Sequence, residues 1–141
     1  MTDLPGIKAL RPGDSLPGRE FCCDNVQLFF YNASLWNAHR IHYDYPYATQ
    51  VEGYPGLVVA GPLMGDWLTQ CVLDWMDQDA TLVSFEYSNR KACYTGDVLY
   101  FAGEVVSIVQ DTGLVTLDLL ITDQEGDTVT PGRAVVRFPF D

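Results

Sequence analysis

Both histidines of the chain lie within four positions of each other, in the polar segment from 37 to 44. An imidazole titrates near neutrality, with an ordinary pKa of about 6.5, so His42 can act as a general acid or base. His39 and His42 could instead satisfy buried backbone groups in a loop. With Asp44 they would form an incomplete zinc shell that lacks a cysteine at ligand spacing, so no metal site is predicted.

A glycine-rich stretch leads from this segment into a helix, with Gly61 and Pro62 near the helix start. Proline is favoured in the first turn of a helix. The free amides there, together with the positive end of the helix dipole, could stabilise negative charge that develops on a carbonyl oxygen. A plain Gly-Pro helix start is the alternative interpretation of the same residues.

The helix that follows is the clearest element in the sequence. Apolar pairs recur every four residues from Leu63 to Met76, which is typical of one face of an amphipathic helix. Asp24 is the predicted N-cap of a shorter helix that ends before Asn32. Residues 37–55 have neither a helical nor a strand period, and their His, Tyr, Asp and Pro residues predict a structured loop.

After Asp79 the pattern changes to β-branched and aromatic runs separated by turn residues. Four antiparallel strands are predicted, at Thr81–Tyr87, 97–109, 113–122 and 132–138. Each candidate turn places a glycine near a position where a hairpin can need positive φ. A helix, a loop, a long helix and then strands are the order expected of an antiparallel sheet wrapped around one helix.

The bulk composition predicts one domain, over residues 21–141, because 48% of the 141 residues are apolar and can form one core. Residues 1–20 are rich in Pro and Gly and are predicted to form an extended N-terminal arm. The formal charge of −11 argues against nucleic acid and against an anionic membrane surface as partners. No stretch reaches the roughly 20 apolar residues that span a bilayer, and no secretory leader is recognisable.

The cysteine pattern points to a reducing compartment. Adjacent Cys22 and Cys23 cannot easily bridge each other, and Cys71 and Cys93 stand alone, with no C-x-x-C pair in the chain. Free thiols, and therefore a cytoplasmic location, are expected.

Two stretches make the chain resemble a known family. They are Asn-Ala-His-Arg-Ile-His-Tyr-Asp at 37–44 and Glu-Gly-Tyr-Pro-Gly-Leu-Val-Val-Ala-Gly-Pro-Leu at 52–63. They resemble the MaoC-like acyl dehydratases, and within these the branch of mitochondrial-type 3-hydroxyacyl-thioester dehydratases and mesaconyl-CoA-type hydratases. That family has the α+β hot-dog fold, an antiparallel sheet wrapped around a long central helix, which is the arrangement that the order of elements predicts.

The resemblance implies roles for individual residues. His42 matches the histidine of the wider family's hydratase motif, His39 stands at that motif's Asn, and Asn37 stands where the wider family has its catalytic Asp. A carboxamide cannot accept a proton at neutral pH. Asn37 is therefore expected to orient water while His42 transfers protons and the amide of Gly61 holds a thioester carbonyl.

Further residues are implied by the same resemblance. If a carboxylate is still required, Asp44 lies beside His42 in sequence and Asp66 lies about one turn into the central helix. Asp66 would also suit a hot-dog thioesterase, which uses a carboxylate on that helix. The predicted substrate-binding residues are Trp36, Tyr54, Pro62 and Leu63.

The implied function is a hydro-lyase that hydrates an enoyl thioester or dehydrates a 3-hydroxyacyl thioester of coenzyme A or acyl carrier protein, without a cofactor. The resembling branch commonly has two hot-dog units per chain, and this sequence resembles the catalytic unit. A homodimer, or a heterodimer with a related hot-dog chain, is therefore expected. Two alternatives stay open: a non-catalytic subunit that completes the acyl pocket of a partner chain, and the thioesterase.

Overall fold

The N-terminal segment packs against the rest of the molecule. The computed structural model describes residues 6–139, so the first five residues of the predicted arm lie outside the described residues. Ile7–Ala9 form a 3-10 turn, and Leu10 and Leu16 are buried in the core. A strand, β1 (Arg19–Cys22), begins inside the range predicted as an arm. This strand was not predicted, because four residues with one buried side chain show no alternation of apolar and polar residues.

The first helix, α1 (Asn25–Ser34), begins where the sequence predicts and runs further than expected. The Asp24 carboxylate caps it by accepting the backbone N–H of Gln27 at 2.7 Å. The following segment, predicted as a structured loop, contains a 3-10 turn at Arg40–His42 and a π-helical turn at Tyr47–Val51. Single turns are too short to produce a readable period, which is why they were not predicted.

The central helix, α2 (Gly61–Trp75), confirms the predicted amphipathic element. Its apolar face is buried, and Trp67 stacks on Phe21 of β1 with ring centroids 4.7 Å apart and planes 11° from parallel. Full burial of a large apolar side chain contributes about 1.5–3 kcal/mol, so this face fixes the helix against the sheet. The buried residues of α2 are Leu63, Met64, Gly65, Trp67, Leu68, Cys71, Val72 and Trp75.

Four further strands complete one antiparallel sheet: β2 (Thr81–Tyr87), β3 (Val98–Val109), β4 (Leu114–Thr122) and β5 (Thr128–Arg137). The strand order is β1-β3-β4-β5-β2, so β3, β4 and β5 form a meander and β2 lies at one edge. Helix α2 packs against β2, β4 and β5. This is the predicted α+β hot-dog arrangement.

The last strand begins at Thr128, four residues earlier than predicted. Pro131 favours a turn in the sequence, but in the structure it lies inside β5 and pairs with Leu120 of β4. The Pro131 carbonyl accepts the N–H of Ser88. Proline lacks a backbone N–H, and at this position the strand uses only the backbone carbonyl. The predicted turn glycines do adopt positive φ, of 90°, 70° and 82° at Gly96, Gly113 and Gly126.

One hydrophobic cluster joins the arm, both helices and the sheet. The cysteines are free thiols, as predicted, and Cys22 is exposed while the other three are buried. Within residues 6–139, no helix combines the length and the apolar character needed to cross a membrane.

Candidate active site

His42 ends the 3-10 turn Arg40–His42 and is buried, with 8% of its surface exposed. Its Nδ1 atom lies 2.6 Å from the carbonyl oxygen of Val58. A carbonyl can only accept, so Nδ1 carries the proton and Nε2 keeps its lone pair. Burial lowers the pKa of His42, the bond to Val58 opposes that shift, and neighbouring His39 lowers the pKa further. The neutral ring is the form that a general base requires.

The segment 57–59 holds His42 in place. The backbone N–H of Val58 donates to the carbonyl of Ile41 at 3.0 Å, while the Val58 carbonyl accepts from His42. On its other side, the segment bonds to residues 93–95 through backbone contacts of 2.8 and 3.0 Å. The orientation of the imidazole is therefore set by a backbone ladder as well as by side-chain packing.

Helix α2 begins three residues after Val58. Its N-cap, Ala60, has no side-chain acceptor, Pro62 has no N–H, and the N–H of Leu63 donates to the Ala60 carbonyl at 3.0 Å. No hydrogen bond is recorded for the amide of Gly61 among residues 6–139. That amide is thus an unpaired donor at the positive end of the helix. Three residues span at most about 10 Å, so this donor lies within that distance of the Val58 backbone that holds His42.

Asn37 and His39 precede His42 in the same loop. The Oδ1 atom of half-buried Asn37 accepts the backbone N–H of His39 at 3.2 Å. The His39 side chain is exposed, and its ring centroid lies 5.8 Å from that of His42. In the described part of the chain, no hydrogen bond joins Asn37 to His42. The structure therefore places the two imidazoles together and leaves the Asn37 amino group available to a ligand.

Asp44 supports the loop and does not contact His42. Its carboxylate accepts from Arg40 at 2.8 and 3.0 Å and from the backbone N–H of Tyr47 at 3.2 Å. The Arg40 guanidinium holds the pKa of Asp44 below its ordinary value, and the bond from Tyr47 adds to this effect. The guanidinium also lies over the Tyr47 ring, 4.2 Å from its centroid. Asp44 thus ties the two short turns of the loop together.

Asp66 faces α1. Its Oδ2 atom accepts the hydroxyl of Tyr31 at 2.8 Å, which links the two helices across an exposed contact. Burial is the main cause that raises the pKa of Tyr31, and the Asp66 carboxylate raises it further. Tyr31 is therefore a donor to Asp66 at any ordinary pH.

An open cleft of about 220 Å³ lies beside Asn37, between the end of α1 and the loop of residues 37–55. Trp36 lines it with 92% of its surface exposed, and its φ of 57° lies in the left-handed region. Phe29 and Tyr43 supply further apolar surface. Such a cleft could receive part of an acyl group.

The other three predicted substrate-binding residues lie apart from this cleft. The ring of Tyr54 is 6.2 Å from that of Tyr94. Pro62 is exposed in the first turn of α2, whereas Leu63 is buried in the core. Pro62 can thus contact a ligand at the helix start, while Leu63 positions the helix.

The part that Val58 plays could not be predicted from the sequence, because any residue type supplies a backbone carbonyl.

The acidic cluster of Asp123, Glu125 and Asp127 has oxygen atoms at metal-ligand spacing. Lys91 Nζ lies among them, 2.6, 3.4 and 2.8 Å from these carboxylates in that order. The cluster therefore holds a lysine of the chain, which offsets one of its three negative charges.

Comparisons with known proteins bear on this site. A family model for hydroxyacyl-thioester dehydratase type 2 matches residues 8–95. This range includes the loop that carries both histidines (residues 37–55, the histidine loop), the segment 57–59 and all of α2. The mesaconyl-C(4)-CoA hydratase of Chloroflexus aurantiacus is 68% identical over 37 residues, 26% of this chain and 13% of that protein. The chain spans about a third or less of the length of the curated relatives it matches.

Two solved structures show the same fold. The (R)-hydratase from A. caviae involved in PHA biosynthesis superposes with a TM-score of 0.85 at 19% identity, over 94% of this chain and 99% of that one. A chain of the ChsH1-ChsH2 complex from Mycobacterium tuberculosis gives a TM-score of 0.81 at 18% identity, over 92% and 98%. At these identities the likeness concerns the hot-dog fold alone. Because the family model covers well over half of the sequence, the chain belongs to the hydroxyacyl-thioester dehydratase type 2 family.

Proposed function

We propose that this chain is a hydro-lyase that interconverts an enoyl thioester and a 3-hydroxyacyl thioester of coenzyme A or acyl carrier protein. The observation that carries the proposal is the neutral His42, whose Nδ1–H is donated to Val58, three residues before the unpaired amide of Gly61. Family membership supports the same reaction class. The Chloroflexus aurantiacus relative is a mesaconyl-C(4)-CoA hydratase.

The roles follow from the two unpaired groups. The Gly61 amide donates to the thioester carbonyl oxygen, which makes C3 of an enoyl group electrophilic. As the oxygen of a water molecule bonds to C3, Nε2 of His42 takes one proton from that water. The proton then passes to C2, so that H and OH add across the double bond and the ring returns to neutral. Asn37 orients the water, since its amino group has no recorded partner among residues 6–139.

The carboxylates of the site support hydration over thioester hydrolysis. Asp66, which a thioesterase would need, accepts the Tyr31 hydroxyl. Asp44 is held by Arg40 and by the N–H of Tyr47. Each carboxylate therefore has a hydrogen-bond partner that holds it in place. In the described residues, Nε2 of His42 has no hydrogen-bond partner.

The test is the loss of enoyl-thioester absorbance when the purified chain meets a panel of enoyl-CoA compounds. We expect hydration by the unaltered chain, and a loss of about 10²–10⁴-fold for His42→Ala, the range typical of a general acid or base. Gln50→Ala, an exposed residue of the π-helical turn, is the matched loop control and should keep its rate. A His42→Ala rate equal to that of the control would rule out the proposed role.

We also propose that the active form pairs with a second hot-dog chain, identical or related. In the described residues β2 pairs with β5 alone, so its outer edge offers unpaired backbone groups. One structural neighbour of the chain, from Mycobacterium tuberculosis, belongs to the ChsH1-ChsH2 complex. If activity arises only after a related chain is added, the chain is the subunit that completes a partner's pocket.

A further inference from the structure

The carboxamide of Asn89 lies directly against the first residue of α2. A β-carbon built on Gly61 would collide with Nδ2 of Asn89 and would lie 3.0 Å from its Cγ. Glycine at this position is what lets the carboxamide approach the helix start. Asn89 comes from the segment after β2, far from the histidine loop in sequence, and neither motif of the sequence includes it.

The orientation of this carboxamide is set from its other side. The hydroxyl of Thr130, a residue of β5 with 0% of its surface exposed, lies 3.1 Å from Oδ1 of Asn89. The hydroxyl donates and the carbonyl oxygen accepts, so Oδ1 is engaged at the sheet. The Nδ2 group is then directed towards Gly61, and it has no hydrogen-bond partner recorded in residues 6–139.

The backbone on both sides of Asn89 is fixed. The N–H of Ser88 donates to the Pro131 carbonyl at 3.1 Å, and the N–H of Arg90 donates to the Val129 carbonyl at 2.8 Å. Asn89 is therefore held by the continuation of the β5 ladder and does not depend on a loose loop. Side chains supported in this way keep the geometry that catalysis requires.

Two unpaired N–H donors thus lie side by side at the start of α2, one from the Gly61 backbone and one from the Asn89 carboxamide. Two donors that reach the same oxygen stabilise negative charge that develops on it. We propose that Asn89 is a second catalytic donor to the thioester carbonyl oxygen, beside the Gly61 amide. This inference rests on the proposed hydro-lyase function and names a residue that acts in it.

The first test is Asn89→Asp, which keeps the shape of the side chain and removes the donor. We expect kcat for crotonyl-CoA hydration to fall about 10²-fold, as for loss of one oxyanion donor, with a much smaller change in KM. Asn25→Asp, which adds the same charge at the exposed start of α1, is the matched control and should leave kcat unchanged. Asn89→Ala serves if the aspartate variant does not fold, with the same expected loss.

The second test reads polarisation of the carbonyl directly and needs no turnover. The infrared stretching band of the thioester in bound butyryl-CoA should move to lower frequency in the unaltered chain, and much of that shift should disappear in Asn89→Asp. Thr130→Val, which frees the carboxamide to rotate, should lose part of the shift. If Asn89→Asp keeps both the rate and the band position, Asn89 does not donate to the carbonyl oxygen and the inference is wrong. If His42→Ala is as active as the unaltered chain, the hydro-lyase proposal fails, whatever Asn89 does to the band.

Discussion

His42 illustrates how one backbone bond can decide the chemistry of a side chain. Its Nδ1–H is committed to the Val58 carbonyl at 2.6 Å, so the tautomer with a basic Nε2 is the one that the fold stabilises. The same segment then leads within three residues to the unpaired amide of Gly61. The proposed base and the proposed carbonyl donor thus both depend on one short piece of backbone.

The pH dependence of the reaction follows from the burial of His42. Its pKa lies below the ordinary value of about 6.5, so the base form is already populated at pH 7 and is lost only as pH falls through the lowered pKa. We expect kcat/KM for hydration to be flat near pH 7 and to decline with a midpoint below 6.5. A profile of the free enzyme from pH 4.5 to 8 measures this. A midpoint above 6.5 would contradict the assignment.

Replacements of His42 should separate its structural role from its chemical one. Alanine leaves the buried Val58 carbonyl unpaired, which costs about 1–3 kcal/mol, whereas the amide of asparagine can still donate to that oxygen. We expect both His42→Ala and His42→Asn to be inactive, with only the first clearly less stable in urea unfolding. Equal stability of the two variants would show that the Val58 bond contributes little.

At the scale of elements, the strongest sequence patterns predicted the strongest structures. The apolar stripe of α2 is long enough to show its period, so both the helix and its buried face were predicted. The strand at Arg19–Cys22 and the single turns in the histidine loop were missed because their stability comes from tertiary contacts. Pro131 was left out of the predicted last strand because its turn propensity is overridden by pairing within the sheet.

The candidate site was predictable only in its residue types. The histidine loop and the Gly61 helix start were recognised from sequence, and the structure brings them together through the segment 57–59. The contacts of Asp44 with Arg40 and of Asp66 with Tyr31 could not be predicted, because an acidic residue has many possible partners. The approach of Asn89 to Gly61 joins distant segments, so no local pattern reveals it.

Two turn glycines provide a matched test of the packing at the turns of the sheet. Gly113 and Gly126 both have positive φ, but a β-carbon on Gly113 would lie 2.5 Å from the Phe138 carbonyl oxygen, whereas none of the surrounding atoms would obstruct one on Gly126. Both alanine variants incur the cost of a strained backbone, of order 1 kcal/mol. Gly113→Ala should lose at least about 1 kcal/mol more, because overpacking adds to that strain. Urea denaturation measures the difference, and equal losses would contradict the packing described for this turn.

At the scale of the whole molecule, the sheet has two edge strands, β1 and β2, and β2 is the longer. The outer edge of β2 is available for pairing, whereas β1 at the other end is four residues long. The second hot-dog chain that we propose would find its pairing edge on β2. Pairing of two β2 edges would continue the sheet across a dimer.

Two exposed valines at β-bulges test this pairing. Val83 lies on the edge strand β2, with 47% of its surface exposed, and Val106 lies on the inner strand β3, with 39% exposed. A lysine on an edge strand opposes edge-to-edge association. We expect the unaltered chain and Val106→Lys to sediment as dimers and Val83→Lys as a monomer. A dimer that survives Val83→Lys and dissociates in Val106→Lys would place the interface on the sheet face instead.

The central claim is tested most directly by the fate of water oxygen. The chain is incubated with an enoyl-CoA in water enriched in oxygen-18, and the products are analysed by mass spectrometry. Our account predicts an intact thioester with the heavy oxygen on the C3 hydroxyl, formed by the unaltered chain and not by His42→Ala. Heavy oxygen in a free carboxylate, with release of coenzyme A, would show hydrolysis and contradict the account.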